Sequence, residues 1–129
     1  MAKRKNIEPT TAELEILNIL WEQQPLTVRE IHEKLSASKE VGYTTTLKIM
    51  QNMTIKGLLA RELEGKSHLY STVHEKEETR QGLLNRFLDT AFGGSASSLV
   101  MQLLGNSKTS EEELEEIKKL IDQIEKNEQ

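Results

Sequence analysis

Cysteine is missing from the chain altogether. That excludes disulfides and thiolate metal sites and leaves the redox compartment open. Aromatic residues make up only 4%, so a core has to be built from aliphatic side chains. No apolar run approaches the roughly 18 residues of a membrane span, and no signal peptide precedes the first helical pattern, so a cytoplasmic location is the expectation. Patterns for chemistry are also thin. The three histidines, His32, His68 and His74, come with no HExxH motif and no paired carboxylates. Gly93-Gly94 has no phosphate-loop context, and no nucleophile–base pair stands out. Neither a metal, a cofactor, a small-molecule ligand nor an enzymatic activity is expected.

What is present fits one compact domain or a small domain with an accessory element: 129 residues, 36% hydrophobic and 29% charged. The net charge of −4 is unevenly spread. Residues 1–73 hold ten basic and nine acidic side chains, whereas residues 74–129 hold seven and twelve. A near-neutral head followed by an acidic tail suggests two modules. For phosphate binding, local clustering of charge matters more than the overall balance. The basic arm Lys3-Arg4-Lys5 reads most simply as a solvated terminus.

Thr10 to Gln23 reads as a first helix, preceded by Pro9 and opened by Thr10 and Glu13 at capping-box spacing. Its Leu14, Ile16, Leu17, Leu20 and Trp21 share one arc, which places the lone tryptophan in the core. Pro25 stops this helix, and Leu26 has room for a strand of one or two residues. Thr27 and Glu30 repeat the capping box and open a short second helix through Leu35, with Val28, Ile31 and Leu35 facing inward. Ser36 to Gly42 is the turn before a third helix, Tyr43 to Gly57.

That third helix divides into two faces. Thr46, Ile49, Met50 and Met53 fall on a buried arc with Tyr43 at its edge. Thr44, Thr45, Lys48, Gln51 and Asn52 offer hydroxyl, ammonium and amide groups elsewhere, the groups that phosphates and base edges accept. Ile55 points to the polar side as well, and packing on a neighbouring loop is the expectation for it. Gly57 is the left-handed cap. The period then changes to two. Leu58 to Leu63 alternates, Glu64-Gly65-Lys66 turns, and Ser67 to Val73 returns with Leu69 and Ser71 on one face and His68, Tyr70 and Thr72 on the other. Three helices and a hairpin in this order make a winged helix-turn-helix, with Arg61, Lys66, Ser67 and His68 placed on the wing to meet DNA.

Residues 74–129 return to helical periodicity. His74 to Ala91 carries Leu83, Leu84, Phe87, Leu88 and Phe92 over about half its circumference. After Gly93-Gly94, Ser95 to Leu104 is apolar almost all round. After Gly105-Asn106, Ser110 and Glu113 cap a last helix striped by Leu114, Ile117, Leu120, Ile121 and Ile124. Fewer than 60 residues do not easily close a core alone. The expected class is therefore mainly α with a small β-hairpin: a winged helix-turn-helix head over residues 1–73 and a three-helix dimerisation module over residues 74–129. Leu84, Phe87, Leu88, Leu99, Val100, Leu103, Leu114, Ile117, Ile121 and Ile124 are the candidate interface.

The strings TAELEILNILW, YTTTLKIMQNMTIKGLL, RELEGKSHLYS and AFGGSASSLV stand in order over roughly residues 8–125. Together they resemble the bacterial penicillinase-repressor and methicillin-resistance-repressor family. The resemblance implies a winged-helix homodimer that binds a dyad-symmetric operator and blocks transcription. It also implies relief by cleavage, triggered by a membrane sensor with a metalloprotease domain. A copper-responsive branch of that family ends in a cysteine cluster, which this chain lacks. The family's cleaved bond joins asparagine to phenylalanine. Aligned on Gly93-Gly94 and Ser98-Leu99-Val100, the corresponding bond is Gln102–Leu103, where the amide is kept and the aromatic ring is replaced. The alternative reading, a winged helix that binds protein and not DNA, predicts more apolar residues on the outer face of the 43–57 helix.

Overall fold

The computed structural model describes residues 8–105 and 109–127. The Lys3-Arg4-Lys5 arm and Asn106 lie outside the described residues. Two compact units, residues 1–83 and 84–129, make up the chain.

In the first unit, α1 (Thr11–Glu22) and α2 (Val28–Ser36) both start at reciprocal capping boxes. Thr10 Oγ1 accepts from the Glu13 amide at 3.2 Å, and Glu13 Oε1 accepts from the Thr10 amide at 2.9 Å. Thr27 and Glu30 repeat the exchange at 3.1 and 2.8 Å. Each cap contributes about 1 kcal/mol. α3 (Tyr43–Lys56) starts at Gly42 without a side-chain cap and ends at Gly57, whose φ of 87° lies in the left-handed region that favours glycine. The core joins one face of each helix: Ile16, Leu17 and Leu20 from α1, Val28, Ile31 and Leu35 from α2, and Met50 and Met53 from α3. Each such side chain contributes on the order of 1.5–3 kcal/mol on burial.

β1 (Leu59–Glu64) and β2 (Ser67–Thr72) pair antiparallel, from Leu59 opposite Thr72 to Glu64 opposite Ser67. Gly65 has φ 63° and Lys66 has no positive φ, which suits a two-residue turn with glycine first. Only the base of this hairpin is buried, at Leu59 and Tyr70. Tyr70 also bridges Leu26, with N–H to carbonyl bonds of 2.8 and 3.1 Å. Beyond Leu59 every residue of β1 is exposed, which is the form of a wing. The next helix starts later than periodicity suggests. α4 runs Lys76–Phe92, and just before it the His74 carbonyl accepts from the Trp21 indole N–H at 3.2 Å.

The second unit contains the rest of α4, α5 (Ala96–Leu104) and α6 (Glu111–Asn127). Gly93 and Gly94, at φ 58° and 83°, end α4. Ser95 caps α5, and Ser110 with Glu113 forms the expected box at the start of α6. No described residue of this unit is buried. Among the described residues no helix is long and apolar enough to cross a membrane.

Candidate nucleic-acid interface

The presentation of α3 follows from what its inner face does. Thr46, Met50 and Met53 are fully buried. The Thr46 hydroxyl donates to the Gly42 carbonyl at 3.3 Å and lies 3.1 Å from His32 Nδ1. The Thr54 hydroxyl donates to the Met50 carbonyl at 2.9 Å. These two threonines are committed to the fold. Thr44, Thr45, Lys48, Gln51 and Asn52 are left exposed on the opposite side.

Charge separates the lysines of this region. Lys56 binds both carboxylate oxygens of Glu13 at 2.8 Å, and Lys39 binds Glu15 at 2.8 Å. Glu13 is only 6% exposed, so the Lys56 charge is answered inside the head. Lys48, Arg61 and Lys66 have no acidic partner among the described residues.

On the wing, Arg61, Lys66, Ser67 and His68 are all exposed. The register puts Arg61 and Leu63 on the same face as Tyr70 and His68. Ser67 falls on the other face with Glu64 and Glu62. The Arg61–His68 face is therefore the one suited to phosphate, and the glutamates repel it from the opposite side.

Three features were not legible from periodicity. The Tyr43 ring meets His32 edge to face at 5.5 Å, and Arg29 sits 5.6 Å from its centroid. The Glu13–Lys56 pair links the start of α1 to the end of α3. Each joins residues far apart in the sequence, beyond any local spacing signal. The third feature is a correction: Ile55 does not pack on a loop but is 83% exposed. At its angle on α3 no element among the described residues covers it.

In the second unit, the candidate interface residues Leu84, Phe87, Val100, Leu103, Ile121 and Ile124 are exposed, and Leu88, Leu99, Leu114 and Ile117 are half-buried. Gln102 and Leu103 sit exposed on α5.

A three-helix core, an outward polar face on its third helix and a hairpin wing together define a winged-helix transcription regulator. The sequence matches the penicillinase repressor family over residues 9–123, and the chain belongs to that family. It is 25% identical to the penicillinase repressor of Staphylococcus aureus over 122 residues, covering 95% of this chain and 97% of that one. Over 70 residues it is 34% identical to the transcriptional regulator BlaI of Mycobacterium tuberculosis, covering 54% of this chain and 51% of that one. A solved structure of a Staphylococcus aureus MepR mutant bound to an oligodeoxyribonucleotide superposes with a TM-score of 0.52. That match covers 93% of this chain and 80% of the other at 18% identity, so the fold is what the two share.

Proposed function

We propose that the chain is a repressor that binds a dyad-symmetric operator as a homodimer and is released by proteolysis. The observation that carries this reading is the exposed polar face of α3, with Lys48 at its middle and without an acidic partner among the described residues. Thr44, Thr45, Gln51 and Asn52 read base edges or hold phosphates beside it, and Arg61, Lys66 and His68 follow the adjacent backbone, with Ser67 turned to the glutamate face of the wing. One head reaches few base pairs, whereas a twofold pair reads two half-sites.

The absence of any buried described residue in the second unit supports pairing there. A second copy covers the apolar side chains of α4, α5 and α6, in a dimerisation module counted from residue 74. Release follows when a partner sensor metalloprotease cuts Gln102–Leu103 and splits α5. A pocket shaped for phenylalanine accepts the smaller leucine at a loss of about 1–3 kcal/mol, and local opening of the paired helix exposes the bond.

A mobility-shift assay with the duplex upstream of its own gene tests operator binding, and a retarded band that survives competitor DNA is expected. Fragment mapping by mass spectrometry in induced cells tests the rest. Release from DNA with every chain still full length would refute the proteolytic step.

A further inference from the structure

Ile55 is the most exposed large apolar side chain among the described residues, at 83%. Thr44, Lys48, Gln51 and Ile55 stand at i, i+4, i+7 and i+11, so they form a single stripe down the open face of α3. By helical rotation Ile55 projects between the directions of Lys48 and Gln51, in the middle of the polar face and not at its rim. The next residue, Lys56, is held to the other side by Glu13 at 2.8 Å, and Gly57 ends the helix immediately after. The last turn is thus fixed at both edges, and Ile55 has no route into the core short of unwinding it.

An isoleucine here gives the fold nothing. It buries little area, and it is a slightly poorer helix former than lysine or glutamine. In a face that reads DNA it has one natural counterpart. The thymine C5-methyl is the apolar group on the major-groove edge of the bases, and every other feature there is a donor or an acceptor.

The length of the stripe adds a constraint. From Thr44 to Ile55 the helix rises about 16 Å, against a major-groove width of about 12 Å. A helix that entered by its N-terminus alone would use Thr44 and Lys48 and leave Ile55 outside. We infer that α3 lies along the groove and that Ile55 is a specificity-determining residue, packed on one thymine methyl in each half-site next to the base met by Gln51. This rests on the operator-binding reading above.

The test uses the full chain and duplexes that it selects from a random pool. Each thymine is replaced in turn by deoxyuridine, which lacks only the methyl group. Wild type is expected to lose roughly four-fold in affinity at one thymine per half-site, the worth of one buried methyl group. Ile55→Ala is expected to bind the thymine and deoxyuridine duplexes equally at that position while keeping its preferences elsewhere. Ile55→Val is expected to retain most of the discrimination. The inference is overturned if Ile55→Ala keeps every thymine preference of wild type, or if wild type ignores all the methyl groups. A selection that yields no preferred sequence removes the operator reading itself, and this is seen before any thymine is exchanged.

Discussion

Lys48 and Lys56 are two turns apart on the same helix, and the structure assigns them opposite electrostatic roles. Lys48 is exposed with no acidic partner among the described residues, whereas Lys56 is held by both oxygens of Glu13 at 2.8 Å. Salt dependence of DNA binding measures the number of phosphates a protein neutralises, at about 0.9 in the log–log slope for each. Lys48→Ala, present twice in a dimer, should therefore lower the slope by about two. Between about 50 and 200 mM salt, wild type should lose about twelve-fold more affinity than this variant. Lys56→Ala should leave the slope unchanged. It strands a carboxylate that is 6% exposed, at a cost of up to about 3–5 kcal/mol, at the lower edge of the stability of an ordinary domain. A Glu13→Gln/Lys56→Ala double variant removes that stranded charge and serves as the folded control, verified by circular dichroism. Anisotropy titrations of a labelled operator duplex across a salt series give the slopes. A slope lowered as much by Lys56→Ala as by Lys48→Ala would show that the Glu13 pair does not withhold its lysine from DNA.

Two further outcomes follow from the same surfaces. Gln51→Ala should cost about 1–3 kcal/mol and relax the sequence preference at one base pair per half-site; unchanged discrimination in a binding-site selection removes its base-reading role. Ile121→Asp places a carboxylate in the proposed α6 contact without a counter-charge, so sedimentation should show monomers and operator affinity should fall while the head stays folded. An intact dimer would move the interface off this stripe.

What was legible in the sequence was local. The capping boxes at Thr10 and Thr27 and the glycine cap at Gly57 depend on neighbours within a few positions, and all three formed as spaced. The inward set of α3 followed from a 3.6-residue period, and so did the outward set. The partnership of Glu13 with Lys56 spans 43 positions, and it separates a lysine free for phosphate from one already neutralised. No periodicity carries that information. Ile55 was misread because an apolar residue was assumed to need cover. The rule that apolar residues are inside runs in one direction only, and an exposed isoleucine is informative because of its position. The amphipathic stripes of the tail were legible, but a single chain does not determine which surface each one meets.

The placement of the aromatic rings gives the molecule a built-in optical asymmetry. The one tryptophan, Trp21, and both tyrosines, Tyr43 and Tyr70, belong to the first unit, and the second holds only Phe87 and Phe92. Indole emission therefore reports the head alone, and it is sensitive to the bond that joins Trp21 to the His74 carbonyl. Any piece released from beyond residue 102 carries neither chromophore. It passes unseen through a near-ultraviolet detector, and the part that remains keeps the full absorbance of the parent. The total absorbance of a cut sample would equal that of an uncut one, and the mass of each species separates them.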